Sequence, residues 1–330
     1  MNIIFFGSTS DSVIVLEQLA AYHTIACVVT QPPRPVGRNG SITPTPVQAW
    51  AEHHSIPCLS FASHPEKPWE YENEQTVIDT LAPFTPELIV SASYGQKIPS
   101  KTIQGAKLGG INIHPSILPR WRGADPVPWA MIAGDHQTGV TLVTLTEEFD
   151  KGILVAQKKL PIRTDDYPDP LRTTLFTMGA ELLDTTLKEI KGDSFEHTVK
   201  NQEVSSYARK FSRTDGYMPW ELLVCGMRSD SHDKIQQFAA VPLVRDYLKF
   251  TVTHEAEQSI GIILERFFRA LSPWPGMWTQ LPITSGDTIV EKRLKILACT
   301  LSANGELILN TVQLEGKTPV PFAQFKAAYL

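Results

Sequence analysis

The feature that most narrows the fold is the opening run Ile3-Ile4-Phe5-Phe6, closed by Gly7 and followed at once by Ser8, Thr9, Ser10 and Asp11. Consecutive apolar residues of this kind read as a buried strand. Any of the next four polar residues suits the start of a helix, where free backbone N–H groups need an acceptor. Val13, Leu16, Leu19 and Ala20 then recur at helical spacing, and Ile25–Thr30 reads as the next strand. Strand, helix and strand in this order predict an α/β chain built on a doubly wound, mostly parallel, Rossmann-like sheet. The Gly7-Ser8-Thr9 turn lacks the three-glycine fingerprint of dinucleotide binders, so no nucleotide cofactor is expected.

A second stretch carries chemistry. Gly110-Ile111-Asn112-Ile113-His114 reads as a short strand that breaks at Pro115 and continues as Ser116-Ile117-Leu118-Pro119-Arg120-Trp121-Arg122-Gly123. Side chains alternate along a strand, so Asn112 and His114 share a face. Both would leave its C-terminal end, where open α/β sheets place their ligands. An amide donor beside an imidazole can stabilise an oxyanion and move a proton. Taken singly, each residue also has an ordinary structural reading, as a strand-end amide bonded to a loop and as a satisfied His before Pro.

At 330 residues the chain exceeds the usual single-domain size, so two domains are expected. Its net charge of −5 argues against a general polyanion binder. The charge is unevenly spread: residues 1–207 carry 16 Lys and Arg against 23 Asp and Glu, and residues 208–330 carry 14 against 12. A nucleic-acid partner would therefore be gripped locally, mainly by the C-terminal half. No apolar run reaches the length of a membrane span, and Met1 leads straight into a strand without a basic region or cleavage site. A cytoplasmic protein with no membrane partner is expected. Cys27, Cys58, Cys225 and Cys299 are scattered, and the nine His show no ligand spacing, so reduced thiols and no metal are expected.

The ungapped order of an Asn-x-His pair, Ser-Ile-Leu-Pro and Arg-x-Arg-Gly, from Asn112 to Gly123, resembles the signature of the folate-dependent formyltransferases. Across the whole chain the resemblance is to the branch that acts on methionyl-tRNA. It implies an enzyme that moves a formyl group from 10-formyltetrahydrofolate to the α-amine of methionyl-initiator tRNA, for translation initiation. It implies Asn112, His114 and Asp150 as the catalytic residues and Ser116, Ile117, Leu118 and Pro119 as the tetrahydrofolate-binding segment. The Tyr94–Pro99 loop resembles the family's loop bordering the pterin, chiefly through backbone groups. The long Pro- and Gly-bearing segment Gln31–Pro46 resembles the loop inserted into the tRNA acceptor stem, which implies Arg34 and Arg38 as tRNA-binding. Relatives commonly follow that arginine with lysines, where this chain has Asn39, Gly40 and Ser41, so the loop's electrostatic grip should be weaker here. Pro115 stands where close relatives often have Gly.

The rest of the chain fits the same outline. Val47–His54, Thr76–Leu81, Asp125–Ala133 and Leu171–Ile190 read as helices, the last capped by Asp169; Glu87–Ser93, Gly139–Leu145 and Ile153–Leu160 read as strands. Asp150 falls in the turn between the last two strands, where Asp-x-Gly by itself is ordinary turn chemistry. A catalytic domain over 1–191, a polar linker over 192–204 and a smaller domain over 205–330 are expected. The β-rich runs Thr288–Cys299 and Glu306–Leu314 suggest a β-barrel, which the resemblance implies is OB-like and tRNA-binding. Residues 224–258 form a helix-prone insertion without a counterpart in the family. Arg209, Lys210, Arg213, Arg266, Arg269, Lys292, Arg293 and Lys295 are candidates for a tRNA-facing surface, and a monomer is expected.

Two further readings keep the same catalytic domain: a sugar-nucleotide N-formyltransferase and a 10-formyltetrahydrofolate hydrolase. A third is a non-catalytic RNA-binding protein, against which the intact Asn112, His114 and Asp150 set argues.

Overall fold

The computed structural model describes residues 1–36, 40–190, 195–196, 204–250, 259–285 and 288–330. The chain divides into two compact units, one made of Met1–Pro126, Gln137–Pro161 and Asp169–Ala208, the other of Val127–His136, Ile162–Pro168 and Arg209–Leu330.

The first unit opens with β1 (Asn2–Gly7), α1 (Ser10–Ala20) and β2 (Thr24–Thr30). Thr9 caps α1 in a reciprocal box with Ser12, so the polar run after Gly7 does start the helix. A hairpin of β3 (Arg34–Val36) and β4 (Ser41–Thr43) lies within the segment expected as a plain loop. There follow α2 (Pro46–His53), β5 (Cys58–Ser60), α3 (Glu74–Leu81), β6 (Leu88–Ala92), α4 (Ser100–Gln104), β7 (Gly110–His114) and β8 (Arg122–Gly123). After α5 (Pro126–Ala133) come β9 (Gln137–Thr144), β10 (Leu154–Pro161), α6 (Pro168–Glu189) and β11 (Tyr207–Ala208).

Seven strands form one sheet in the order β10-β9-β7-β6-β1-β2-β5. The five from β7 to β5 run parallel, and β9 and β10 extend the edge antiparallel. This is the mostly parallel Rossmann-like sheet predicted from the first thirty residues. Its central strands are buried on both faces, with Ile3, Phe5, Leu88, Val90, Ile111 and Ile113 in one cluster and Ile4, Phe6, Cys27, Val29 and Ile89 in the other. In α6, Leu171, Leu175, Phe176, Ala180, Leu183 and Leu187 form one buried helical stripe. Asp169 lies in the first turn of this helix, not at its cap, and pairs with Arg172 at 3.1 Å. Arg172 also holds the buried Asp11 of α1 at 2.5 Å.

The second unit contains α5, α7 (Trp220–Met227), α8 (Pro242–Phe250), α9 (Ile260–Ala270), β12 (Trp278–Ser285), β13 (Thr288–Leu301), β14 (Leu307–Leu314), β15 (Val320–Pro321) and α10 (Phe322–Tyr329). Its strands pair antiparallel in chain order as a four-stranded meander among the described residues. Leu294, Ile296, Leu309 and Val312 of these strands are buried, with Ile260, Ile263, Leu264 and Phe267 of α9 buried in the same unit. The helix-prone insertion forms α7, a 3-10 turn over His232–Phe238 and α8; residues 251–258 lie outside the described residues.

Candidate active site

β7 lies between β6 and β9, with Asn112 opposite Ser91 and Val143, and His114 opposite Thr141. Alternation along β7 keeps Asn112 and His114 on one face. Asp150 reaches them from the turn after β9. It holds φ +55°, a left-handed conformation that Asp tolerates better than most residues. Two residues on, a Cβ on Gly152 would lie 1.9 Å from the Thr144 carbonyl oxygen, so no larger residue fits. Asp-x-Gly here is both turn chemistry and the device that delivers the carboxylate.

Asn112, His114 and Asp150 meet. Asp150 Oδ1 accepts from Asn112 Nδ2 at 3.1 Å and lies 3.3 Å from His114 Nδ1. Its Oδ2 accepts from the Gly123 backbone N–H at 2.9 Å. An ionised carboxylate only accepts, so Asn112 must turn its NH₂ toward Asp150, leaving its second N–H free of that bond. His114 Nε2 stands 2.8 Å from the Trp121 carbonyl oxygen, another pure acceptor, so Nε2 carries a proton. The His114 and Asp150 side chains are only 5% and 6% exposed, so their interaction is poorly screened.

The Ser116–Pro119 segment runs beside this trio, with Ile117 and Leu118 buried. Thr141 of β9, fully buried, organises it: its Oγ1 donates to the Ser116 carbonyl at 2.6 Å and accepts from the Leu118 N–H at 3.2 Å. Gln157, opposite Thr141 on β10, donates Nε2 to Thr141 Oγ1 at 2.7 Å and to the Leu118 carbonyl at 3.1 Å. Ser116 Oγ closes the segment by donating to the Arg120 carbonyl at 2.8 Å. Arg120 itself lies over the Trp121 ring, 4.4 Å from its centroid.

In the Tyr94–Pro99 loop, Tyr94 gives its carbonyl to Gln31 Nε2 at 2.8 Å and its hydroxyl meets that of Tyr71 at 2.8 Å. Burial holds both phenols well above the usual range. Gln96 is 3% exposed and donates to Ser63 Oγ, while its Oε1 has no hydrogen-bond partner among the described residues.

Other expected residues fall elsewhere. Arg34 is exposed on β3, and Arg38 lies outside the described residues. Two of the basic candidates for a tRNA-facing surface are committed inside the second unit. Arg209 binds Asp215 and Asp246, and the largely buried Arg269 binds Glu265 at 2.7 Å and the Asp166 carbonyl at 2.9 Å. Arg293 lies 4.3 Å over the Trp278 ring centroid. The sequence reading missed Thr141 and Gln157, and took Gly152 only as ordinary turn chemistry. Thr141 did leave a signal: it is a lone polar residue in the apolar run Val140–Val143.

The chain is similar to known proteins over the part that holds the strand-end amide, imidazole and carboxylate. A family model described as formyl transferase matches residues 1–187. The chain belongs to the formyl transferase family. Within it, the methionyl-tRNA formyltransferase of Staphylococcus epidermidis is 35% identical over 221 residues, covering 67% of this chain and 69% of that protein. That of Listeria monocytogenes is 37% identical over 219 residues, 66% of this chain and 68% of that protein. Among solved structures, HypX from Aquifex aeolicus in complex with tetrahydrofolic acid superposes on 98% of this chain and 46% of its own, with a TM-score of 0.52 and 15% identity. The formyl transferase match runs from β1 nearly to the end of α6, so the whole seven-stranded sheet and all three converging residues lie within it.

Proposed function

We propose that this formyl transferase moves a formyl group from 10-formyltetrahydrofolate to the α-amine of methionyl-initiator tRNA. The observation that carries the reading is the convergence of Asn112, His114 and Asp150 at the end of β7, beside the Ser116–Pro119 segment. The relatives named for methionyl-tRNA supply the acceptor. The neutral α-amine attacks the formyl carbon, and the new carbon–nitrogen bond replaces the bond from that carbon to the carrier nitrogen. One amine proton ends on the carrier. α-Amines titrate near about 8, so little activation is needed.

The free N–H of Asn112 donates to the developing oxyanion. Asp150 holds that amide and the His114 ring at once. Both ring nitrogens are engaged within the protein, so a proton gained or lost by His114 passes at Nδ1, on the Asp150 side. Ser116, Ile117, Leu118 and Pro119 are assigned to the tetrahydrofolate, with the partly exposed Pro119 giving apolar surface to the flat pterin, as a mostly apolar pocket requires. The unpartnered Gln96 Oε1 is a spare acceptor in the loop that borders the pterin by family resemblance. We assign residues 1–191 to catalysis, with Arg34 and Arg38 as tRNA-binding, and the part of 205–330 that follows Ala208 to tRNA binding.

The deciding assay offers 10-formyltetrahydrofolate with charged initiator tRNA and, separately, with amino-sugar nucleotides or water alone. Formyl-methionyl-tRNA as the main product is expected. Product on the sugar alone, or formate release without transfer, would overturn the choice of acceptor.

A further inference from the structure

The turn Trp121–Gly123 supplies two of the contacts that fix the trio: the Trp121 carbonyl faces His114 Nε2 at 2.8 Å, and the Gly123 N–H donates to Asp150 at 2.9 Å. Trp121 holds φ +63°, a left-handed conformation that bulky residues rarely adopt. Such a turn persists only where its surroundings over-determine it.

Those surroundings come from 85 residues further along the chain. The Trp121 N–H donates to Ser206 Oγ at 2.9 Å, the Arg122 N–H to the Ser206 carbonyl at 2.9 Å, and the Ala124 N–H to the Ala208 carbonyl at 2.9 Å. β11 runs parallel to β8, and the Tyr207 ring fills the space where a Cβ on Gly123 would come within 2.7 Å. Every backbone N–H from Trp121 to Ala124 therefore has an acceptor, two of them on Ser206 and one on Asp150. The ladder between the strands begins only at Arg122 and Tyr207, so a side-chain oxygen at position 206 must take the Trp121 N–H.

Resting on the reading that His114 and Asp150 act in the transfer, we propose that Ser206 is a positioning residue for that step. Its hydroxyl and carbonyl hold the turn that in turn holds the imidazole and the carboxylate. With Ala at 206 the Trp121 N–H loses its acceptor, and the left-handed turn relaxes away from His114. Small displacements of reacting groups cost rate steeply. Thr141 and Gln157 hold the Ser116–Leu118 backbone independently of this turn, so the loss falls chiefly on kcat and leaves both KM values nearly level.

The test compares the full chain with Ser206→Ala, Ser206→Thr, Ser206→Cys and His114→Ala, measuring kcat, KM for 10-formyltetrahydrofolate, KM for charged tRNA, and Tm. Ser206→Ala should lower kcat by about tenfold or more with both KM values within about twofold. Ser206→Thr, which keeps the hydroxyl, should restore the rate. Ser206→Cys, a weak acceptor of similar size, should fall between, and it decides the matter if Ser206→Ala does not fold. Parental kcat in Ser206→Ala or Ser206→Cys, or a Thr variant as slow as Ala, overturns the proposal. An inactive His114→Ala beside a fully active Ser206→Ala sinks the positioning role alone, whereas an active His114→Ala sinks the reading of the trio on which it rests.

Discussion

Asn112 and Asp150, 38 positions apart in the chain, share a hydrogen bond of 3.1 Å from amide to carboxylate. The bond fixes the amide's orientation and leaves its second N–H free of Asp150, the group that the proposed mechanism sets against charge developing on the substrate. Asn112→Ala should therefore cut turnover by about 10²–10³-fold, the cost of one oxyanion donor. Asn112→Asp should do no better, because it sets a second carboxylate against Asp150 and removes the donor. Single-turnover formyl transfer with saturating substrates checks both, and parental turnover in Asn112→Ala would show that the amide is structural.

Thr141 spends its whole hydrogen-bonding capacity on the Ser116–Leu118 backbone and Gln157. Thr141→Val keeps the shape and leaves the Ser116 carbonyl and Leu118 N–H without this partner. Stability should drop by about 1–3 kcal/mol, the cost of buried groups left unpaired. KM for 10-formyltetrahydrofolate should rise while KM for tRNA stays level, and Thr141→Ser should recover both. An unchanged folate KM in a folded Thr141→Val protein would detach this hydroxyl from the binding segment.

These two residues show what could and could not be read from the chain. Asn112 and His114 lie two apart in one strand, and strand periodicity alone puts them on one face. Asp150 was placed by family resemblance, since Asp-x-Gly is common turn chemistry. Its need for Gly152 appears only once Thr144 is seen 1.9 Å from the missing Cβ. Ser206 left no local signal, because its partners are backbone groups 85 residues away. The parallel sheet was legible because buried strands and a capped helix alternate at the start. The β3–β4 hairpin was hidden by the prolines and glycines that made the segment look like a plain loop. Arg209 looked like a surface cation because charge type says nothing about whether Asp215 and Asp246 converge on it.

That convergence gives the second unit an acid-sensitive anchor. Burial alone would raise Asp215 and Asp246. Hydrogen bonds from Arg209 and Ser212 to the first, and from Lys249 and Arg209 to the second, outweigh it and hold both carboxyls below the usual range. A lowered folded value contributes stability that is present above the unfolded carboxyl pKa of about 3.9 and is lost as pH falls through the folded value. Thermal unfolding followed from pH 7 to 2 should show Tm falling below about pH 4. Asp215→Asn should lower stability at pH 7 by about 1–2 kcal/mol, since it weakens charged hydrogen bonds while the one-third-exposed Arg209 keeps Asp246, and should flatten the acid limb. An acid limb identical to the parent's would place the sensitivity in other carboxyls.

Cys27 tests the burial of the sheet directly. It lies in β2 with no exposed surface, and burial pushes its thiol up to about 12. Only the thiolate reacts with alkylating agents, so at pH 8 its reactive fraction should be about 10⁻⁴, against roughly a quarter for a free thiol. Iodoacetamide at pH 8 should leave Cys27 unmodified in the native protein and modify it fully in denaturant, read by peptide mass spectrometry. Cys299, pushed up to about 12 by its own burial, should be similarly slow. Any native-state labelling of Cys27 then has to pass through opening of the β1–β2–β5 side of the sheet, and its rate should track the opening equilibrium as denaturant is added. Labelling of Cys27 at the rate of a free thiol would mean that β2 is not packed between two layers, and the parallel sheet on which the whole site stands would need to be redrawn.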